Sequence, residues 1–351
     1  MSIHPPNGIV LSAGLGTRLR PLTLEVPKPL VSVCGRPILE WSLDALSQVS
    51  ISHVGVNTYY LAEQIKDALK HRSERFIWSH ETELQGTGGG VRDLLKKLPK
   101  RTDTVVLNGD AFFDFSLADL LATHQQNQGW VTLALKKTTA DDPFGRVGVN
   151  AQGQVVRIAE VKGPLSHTET ELYAFVGAQV IQSHILDYLP DGECDLFRTA
   201  YKTLLQKEIP IYAHAIDPQS IWVDVGTPYR YLSAHQALLD APHSPLWQYL
   251  PSYEVLIQDH TSQSWIQKPL NLTTTQKIKA VKFQGSTIDP SLSLDQNVWI
   301  GAHSHISGSG QVHSCVFWNH SSQNITDPLS HHIFTHQRQL EVDFMSNENA
   351  K

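Results

Sequence analysis

Residues 11–30 read LSAGLGTRLRPLTLEVPKPL, and this stretch carries the strongest structural signal in the chain. The apolar run Ile9–Ala13 leads into it and has the composition of a buried strand. A glycine-rich turn that follows such a strand can present backbone N–H groups to phosphate oxygens. The pattern therefore predicts a phosphate site after the first strand of an α/β domain.

Two common nucleotide-binding motifs are absent. A dinucleotide fingerprint that begins at Gly14 would need a third glycine where Leu19 stands, and the P-loop pattern G-x-x-x-x-G-K-[ST] does not occur. The stretch does contain Thr17, Arg18 and Lys28, and cationic donors can neutralise a polyphosphate. A turn with solvated basic residues is the alternative for any one of them, but it does not explain the whole string.

Short apolar strands alternate with amphipathic helices from residue 8 to about residue 138, which predicts βα units in a mainly parallel, doubly wound sheet. Beyond residue 139 strands follow one another with few helices, so the sheet is expected to be mixed. The predicted strands are Ile9–Ala13, Val54–Thr58, Phe76–Ser79, Thr104–Asn108, Arg146–Val149, Val155–Ala159, Leu172–Ile181, Ile211–Ala215 and Ile221–Val225. The predicted helices are Pro37–Val49, Leu61–Leu69, Gly89–Leu98, Leu196–Gln206 and Tyr229–Leu239.

The chain divides into three parts by composition. Residues 1–240 form the predicted main domain, and residues 241–275, rich in proline and polar residues, form a connecting segment with at most one short helix. In residues 276–351 apolar positions recur about six apart among Gly, Ser and His. This spacing predicts a short parallel β-helix and tail, with an irregular all-β tail as the alternative.

Composition excludes several partners and compartments. A formal charge of −6 provides no strong positive field for nucleic acid. The chain lacks both a signal-peptide pattern at its first residues and an apolar run long enough to span a membrane. Cys34, Cys194 and Cys315 are few, odd in number and far apart, which favours a reducing compartment. We expect a cytoplasmic protein that binds neither nucleic acid nor membrane.

Two aspartates are the candidate metal ligands. Asp110 follows the predicted strand Thr104–Asn108, and Asp224 lies near the end of Ile221–Val225. Both can meet at the carboxyl edge of the sheet, where α/β proteins bind ligands. Mg²⁺ that accompanies phosphate substrates needs only one or two carboxylates, so this pair suffices. A turn or helix cap is the alternative for either aspartate alone.

The segment Gly86-Thr-Gly-Gly-Gly90 precedes a predicted helix. Its lack of side chains would let a flat nucleobase approach the backbone closely. A plain connection between loop and helix is the alternative.

The string G-L-G-T-R-L-R-P-L-T-x-x-x-P-K-P resembles the signature of the sugar-1-phosphate nucleotidyltransferases, also called nucleotide-sugar pyrophosphorylases. Together the matching segments span residues 8–240. The other matching segments are Gly86–Gly90, Leu107–Asp110, Phe144–Val147, Phe175–Gly177 and Trp222–Thr227. The resemblance implies a Rossmann-like, doubly wound mixed sheet of the nucleotide-diphospho-sugar transferase type.

The resemblance also implies a reaction and a set of site residues. A nucleoside triphosphate and a sugar 1-phosphate would form an NDP-sugar and pyrophosphate with Mg²⁺ as cofactor. The implied catalytic residues are Arg18, Lys28, Asp110 and Asp224, of which the two aspartates hold the metal. The implied nucleotide-binding residues are Ala13, Gly14, Gly16, Thr17, Gln85, Gly86 and Thr87, and those for the sugar phosphate are Gly145, Glu160 and Lys162. Many relatives have the Glu and Lys adjacent, whereas Val161 separates them here.

The resemblance constrains the identity of the sugar and of the nucleobase less closely. Residues 297–308 and 315–319 resemble the left-handed β-helix ends of mannose-1-phosphate guanylyltransferase-like members, whose tail could also join copies of the chain into a homo-oligomer. N-acetylmuramate-1-phosphate uridylyltransferases and heptose-1-phosphate nucleotidyltransferases share parts of the pattern. A catalytically silent regulatory or scaffold relative is a further alternative, as is a second, acyltransferase activity in the tail, although residues 281–328 look too short for it.

Overall fold

The structure is a computed structural model that describes residues 5–99, 103–139, 146–258, 263–267 and 277–343. The chain separates into two compact units. The first comprises Met1–Leu15, Val26–Leu30 and Leu39–Asp224, and the second comprises Gly16–Glu25, Val31–Ile38 and Val225–Lys351. This division places the helix Pro228–Asp240 in the second unit, where Leu232 and Tyr231 accept hydrogen bonds from Asn297 and Trp318.

Among the described residues, the first unit contains a mixed ten-stranded sheet. Eight of the strands lie in the spatial order Val161–Lys162, Val155–Ile158, Val147–Asn150, Glu169–Ile181, Thr104–Asn108, Asn7–Leu11, Val54–Thr58 and Phe76–His80. The last four of these pair in parallel. Val131–Lys137 pairs antiparallel with Glu169–Ile181 and parallel with Ile211–Ala215. The prediction of a mixed sheet with a parallel part is confirmed.

Helices cover both faces of this sheet, because neighbouring strand residues point to opposite sides. Ile9 packs with Leu94 of the helix Gly86–Lys97 in one core, whereas Val10 packs with Leu43 in the other. The α-helices of this unit are Ile38–Ser47, whose first residue belongs to the second unit, Ala62–Ala68, Gly86–Lys97, Leu117–Asn127 and Lys202–Gln206. A π-helical turn, Phe197–Tyr201, precedes the last, and 3₁₀ turns lie at Lys28–Leu30, Pro164–Thr168 and Ser183–Tyr188.

The second unit contains three stacks of short parallel strands. The first stack is Lys277–Phe283, Val298–Ile300, Cys315–Phe317 and His332–Phe334. The second is Thr287–Ile288, His305–Gly308 and Ser322–Ile325, and the third is Ser293–Leu294, Gln311–His313 and Leu329–Ser330. Paired residues lie 17 or 18 positions apart in every stack, which is three times the predicted six-residue spacing.

The regular spacing has a local cause. Asn297, Ser314 and His331 adopt left-handed backbone conformations with φ of 54°, 50° and 58°, so the chain turns at equivalent points. Apolar residues of the stacks, such as Val298 and Val312, are fully buried and form a separate core. This burial offsets the conformational cost of such short strands.

The remaining elements of the second unit flank these stacks. They are the 3₁₀ turns Thr17–Leu19, Leu22–Leu24 and Pro245–Tyr249, the strand pair Ser32–Val33 and Arg36–Pro37, the helix Pro228–Asp240, and the strands Tyr253–Gln258, Gln263–Gln267 and Gln339–Glu341. The predicted connecting segment thus has its one short helix but also two strands. Tyr253–Gln258 pairs with Lys277–Phe283 on one side and with Gln263–Gln267 on the other. None of the helices in the described ranges has both the length and the apolar character of a membrane span.

Candidate functional site

The glycine-rich stretch leaves the strand Asn7–Leu11 as an open turn. Gly14 is exposed, and a Cβ added there would meet no heavy atom of the described chain within 4 Å. Gly16 has a left-handed backbone with φ of 63° and begins the 3₁₀ turn Thr17–Leu19, on which Arg18 is exposed. The backbone at Gly14 is therefore accessible to a ligand, as a phosphate-binding turn requires.

Lys28 is held in the first unit by a carboxylate. Its Nζ lies 2.5 Å from Oδ2 of Asp110, and the two side chains are 12% and 29% exposed. Pro27 and Pro29 are buried on either side and restrict the backbone of the lysine. The structure thus brings together two of the predicted catalytic residues, 82 positions apart in the sequence.

Strand pairing brings the backbone of Asp224 beside the residue that follows Asp110. The strand Trp222–Asp224 is antiparallel to Ala111–Phe113, and Asp224 pairs with Ala111, the residue next to Asp110. The two carboxylates and Lys28 therefore belong to one small region of the first unit.

Two carboxylates in this region fit the donor set of a Mg²⁺ ion that shares its remaining positions with water and phosphate oxygens. Within the described ranges no three His, Cys, Asp or Glu side chains converge as a complete protein-only metal site. The observed pair therefore fits a cation that is bound together with a phosphate substrate.

The second glycine-rich segment begins a helix rather than preceding one. The helix Gly86–Lys97 starts three residues before its predicted start at Gly89, so Gly86–Gly90 forms its first turn. The N–H groups of Gly88 and Gly89 bond to the carbonyl oxygen of Cys194, at 2.9 and 3.3 Å, so this neighbouring segment satisfies two N–H groups of the first turn.

The side-chain space of these glycines is occupied by the protein itself. A Cβ at Gly86 would lie 2.5 Å from the backbone oxygen of Cys194, and one at Gly88 would lie 2.8 Å from its sulfur. A Cβ at Gly90 would lie 2.6 Å from Nδ2 of Asn57. Burial raises the pKa of the Cys194 thiol, so a neutral sulfur packs at this position. Close packing is thus a sufficient reason for glycine at these positions.

A buried polar chain connects the two glycine-rich segments within the first unit. The N–H of Ser12 donates to Oδ1 of Asn57 at 2.7 Å, and Nδ2 of Asn57 donates to Oε1 of Glu81 at 2.7 Å. Oε2 of Glu81 accepts from the N–H of Gln85 at 2.9 Å. Glu81 is only 4% exposed and Asn57 only 3%.

Sequence reasoning missed this chain of hydrogen bonds. A signal was present, because Asn57 is a polar residue near the end of the strand Val54–Thr58 and Glu81 directly follows Phe76–His80. Polar residues at the carboxyl ends of neighbouring parallel strands lie at the same edge of a sheet.

Gln85 and Thr87 are both engaged by neighbouring residues. Oε1 of Gln85 accepts from the guanidinium of Arg92 at 3.3 Å. The hydroxyl oxygen of Thr87 accepts from the N–H of Leu196 at 3.0 Å and lies 3.3 Å from Oδ2 of Asp195. Gln85 is thus held by Arg92 of the helix Gly86–Lys97, and Thr87 by the segment that precedes Phe197–Tyr201.

The predicted sugar-phosphate residues are only partly brought together. Gly145 lies outside the described residues. Glu160 is 95% exposed at its side chain and lies 4.0 Å from Arg146, and it lines a cavity of about 730 Å³. Lys162, on the edge strand Val161–Lys162, is exposed and lies outside the lining of this cavity.

The same cavity contains two cations that sequence reasoning missed. Arg198 and Lys202 line it together with Phe175 and Phe197. Their spacing of four residues in the predicted helix Leu196–Gln206 places them on one face, and this was the available signal. The cavity therefore combines cationic groups with aromatic walls.

Comparisons with known proteins show the family to which this chain belongs. The profile of the nucleotidyl transferase family matches residues 7–241. Mannose-1-phosphate guanylyltransferase of Mycobacterium tuberculosis is 32% identical over 241 residues, which are 66% of this chain and 64% of that protein. UTP--glucose-1-phosphate uridylyltransferase of Synechocystis sp. is 28% identical over 249 residues, which are 66% of this chain and 63% of that protein.

A solved structure shares the fold. UDP-glucose pyrophosphorylase from Acinetobacter baumanii matches with a TM-score of 0.56 at 19% identity, over 69% of this chain and 96% of that one. The chain belongs to the nucleotidyl transferase family, since the family profile covers most of its length. The resemblance to sugar-1-phosphate nucleotidyltransferases is confirmed. The chain spans a little under two thirds of the length of the curated relatives it matches.

Proposed function

We propose that this protein transfers a nucleotidyl group from a nucleoside triphosphate to a sugar 1-phosphate and releases pyrophosphate. The observation that carries the proposal is the contact of Lys28 with Asp110, next to the strand register that brings Asp224 to Ala111. Family membership supports the same reaction. Because one relative is a mannose-1-phosphate guanylyltransferase, GTP and mannose 1-phosphate are the first pair we propose.

The proposed chemistry needs positioning and charge neutralisation. A sugar phosphate oxygen attacks the α-phosphorus in line, and the bond from that phosphorus to the pyrophosphate oxygen breaks. The attacking group is already anionic at neutral pH, so no general base is required. Lys28 offsets the charge that develops on the phosphates, and Arg18 is a second cationic donor on the same stretch.

Asp110 and Asp224 are the proposed holders of Mg²⁺. The cation would supply charge neutralisation for the triphosphate when it is bound. Lys28 lies beside the same site, because its Nζ contacts Oδ2 of Asp110. Nucleotide contacts are proposed for Gly14, with its open backbone, and for the other residues implied by the resemblance, namely Ala13, Gly16, Thr17, Gln85, Gly86 and Thr87.

We place the sugar phosphate at the cavity that Glu160 lines. Arg198 and Lys202 are suited to its phosphate group, because guanidinium and ammonium groups donate to phosphate oxygens. Lys162 and Gly145 remain proposals that rest on the family resemblance.

We propose residues 1–240 as the catalytic domain, which agrees with the extent of the family match. Residues 241–275 would connect it to residues 276–351. Three parallel stacks with a spacing of 17 or 18 residues support a short left-handed β-helix in the C-terminal part, with which copies of the chain could associate. The three cysteines are free and buried, which fits the reducing compartment expected from the sequence, such as the cytoplasm.

A screen for pyrophosphate release tests the proposal. Four nucleoside triphosphates would be combined with mannose, glucose, N-acetylmuramate and heptose 1-phosphates in the presence of Mg²⁺. We expect release with at least one pair and the fastest release with GTP and mannose 1-phosphate. Release with no pair would contradict the enzyme function and favour the silent relative, whereas a different best pair would correct the substrate only.

A further inference from the structure

The glycine-rich stretch contains an acidic residue that the proposed reaction does not use. Glu25 directly follows the 3₁₀ turn Leu22–Leu24, and its side chain is only 7% exposed. Its Oε2 atom is buried and has no hydrogen-bond partner among the described residues. A buried carboxylate is costly unless neighbouring groups compensate it, so the partners of the other oxygen are important.

Those partners come from the C-terminal strands of the same unit. The hydroxyl of Thr335 donates a short hydrogen bond to Oε1 of Glu25. Nε of Arg338 lies 3.9 Å from the same oxygen, although the Arg338 side chain is 48% exposed and its contribution is correspondingly small. Thr335 is therefore the principal partner of Glu25.

Thr335 is itself fixed in a tight turn between the strands His332–Phe334 and Gln339–Glu341. Its hydroxyl oxygen accepts from the N–H of Arg338 at 3.0 Å and from that of Gln337 at 3.3 Å. Thr335 is 5% exposed. The hydroxyl also lies 3.4 Å from the carbonyl oxygen of Arg338, so Glu25, at the much shorter distance, is its principal acceptor.

On the other side of the contact between Thr335 and Glu25, internal hydrogen bonds connect the residues of the segment Gly16–Glu25. The hydroxyl of Thr23 donates to the carbonyl oxygen of Gly16 at 2.8 Å, and the N–H of Glu25 donates to the carbonyl oxygen of Leu22 at 3.3 Å. The N–H of Leu19 bonds to Gly16 at 3.1 Å. A restraint on Glu25 is therefore transmitted to the whole segment, including the exposed Arg18.

We propose that Glu25 is a positioning residue through which the C-terminal hairpin at Thr335 holds the segment Gly16–Glu25 in place. Through this contact the hairpin sets the affinity of the protein for the triphosphate, and this part of the proposal rests on the proposed function. This assigns the C-terminal strands a role in the reaction without any contact of theirs to substrate.

The first test needs no substrate. In the intact protein, trypsin cleavage after Arg18 and hydrogen exchange of residues 16–25 report how firmly the segment is held, because both require local opening. Thr335→Val removes the hydroxyl at nearly constant shape, and Thr335→Ser keeps it. Thr326→Val is a control at an exposed threonine of the same unit, directly after the strand Ser322–Ile325. We expect Thr335→Val to accelerate both processes about tenfold, as loss of a hydrogen bond to a charged group implies.

Thr335→Ser and Thr326→Val should stay within about twofold of the wild type, since neither removes the bond. Equal cleavage and exchange in Thr335→Val and wild type would overturn the proposal. If Thr335→Val does not fold, Glu25→Ala and Arg338→Ala replace it, and acceleration of opening by Glu25→Ala is then required.

The second test measures the KM of the triphosphate with whichever substrate pair the wild type converts. We expect Thr335→Val to raise this KM about fivefold, with kcat and the KM of the sugar phosphate within twofold. A faster opening of the segment with an unchanged KM would overturn the role in triphosphate affinity. Absence of any turnover by the wild type would contradict the proposed function instead, and the first test would still decide the anchoring.

Discussion

The two glycine-rich segments of this protein look alike in sequence and differ in what surrounds them. At Gly14 a side chain would meet no described atom within 4 Å, whereas at Gly86 it would collide with the backbone of Cys194. The first segment, residues 11–30, opens as a turn at Gly14 and is the open segment. The second, residues 86–90, is the first turn of the helix Gly86–Lys97 and is the packed segment. Glycine can therefore serve access by a ligand in one place and close packing of the chain in the other.

This difference separates function from stability. Changes in the open segment should affect catalysis or substrate binding and leave folding almost intact. Changes in the packed segment should affect folding first, because the space that a new side chain needs is already filled.

The largest expected effect lies in the open segment. Lys28→Met should lower kcat about 100- to 1000-fold, since it removes a cation that offsets the charge of the phosphates. The free energy of unfolding should fall by no more than about 1 kcal/mol, because Asp110 is partly exposed and can be solvated. Steady-state kinetics and urea unfolding measure both quantities.

Lys137→Met provides the control for this substitution, since Lys137 is an exposed lysine paired with Glu171. Its kcat should equal that of the wild type. A Lys28→Met variant with near-full turnover at saturating magnesium would remove the open segment from the chemistry.

A substitution in the packed segment should lower the free energy of unfolding. Gly86→Ala should lower the free energy of unfolding by roughly 3 kcal/mol, from its φ of 68° together with the contact to Cys194 at 2.5 Å. Gly153→Ala is the matched control, because Gly153 has a φ of 75° but no neighbouring heavy atom within 4 Å. The control should cost only about 1 kcal/mol. Equal losses would show that packing against Cys194 is unimportant.

A fall in pH should lower the stability of the protein through His235, which holds Cys34 in the chain that follows the open segment. The N–H of Cys34 donates to Nε2 of His235 at 2.9 Å, and Nδ1–H of His235 donates to the carbonyl oxygen of Tyr231 at 2.8 Å. Burial lowers the pKa of His235 to about 4, because the neutral ring already satisfies both nitrogens and a charge would be desolvated.

The sign of this effect follows from proton binding. The unfolded chain, with an imidazole pKa near 6.5, binds more protons than the folded chain between pH 6.5 and 4, so stability is lost as the pH falls. About 2 kcal/mol should be lost between pH 7 and pH 5. His235→Gln should remove this part of the pH dependence in urea unfolding at several pH values, and an unchanged slope would show that another group causes it.

Disruption of the buried polar chain between the two segments should have a smaller effect, on stability and on triphosphate binding together. Glu81→Gln leaves one acceptor where two N–H donors, from Asn57 and Gln85, need one each. The loss in free energy of unfolding should be roughly 1–2 kcal/mol, with a raised KM for the triphosphate. Glu83→Gln, at an exposed position nearby, should change neither. An unaltered stability of Glu81→Gln would mean that the segments are supported independently.

Gly14→Ala should have the smallest effect on folding. The free energy of unfolding should change by less than about 0.5 kcal/mol, because the added methyl group meets no described atom. The KM of the triphosphate should nevertheless rise, since the methyl group takes the place of an approaching phosphate. A loss of stability similar to that of Gly86→Ala would remove the distinction between the two segments.

Much of the fold could be predicted because local patterns and tertiary packing agree. The strands Val54–Thr58, Thr104–Asn108 and Ile211–Ala215 have the predicted bounds, and their β-branched residues are buried in the sheet. The helix at Gly86 was predicted three residues late, since glycine disfavours helices in isolation. Packing against Cys194, 108 residues away from Gly86, outweighs that preference.

The site divides in the same way. Arg18, Lys28, Asp110 and Asp224 could be singled out because they stand in motifs beside strand ends. Asn57 and Glu81 also stand at strand ends, but the sequence does not show their partners, because the hydrogen bonds to Ser12 and Gln85 form only when neighbouring strands align.

By itself the sequence determined the class of this protein, because the stretch that contains Arg18 and Lys28 is a local pattern that resembles the family signature. Tertiary structure alone decided which glycines are open, which carboxylate pairs with Lys28, and that the hydroxyl of Thr335 reaches Glu25 across 310 residues of chain. The physical reason is that hydrogen bonds and close contacts depend on distances of a few ångströms, and chain topology sets those distances independently of separation in sequence.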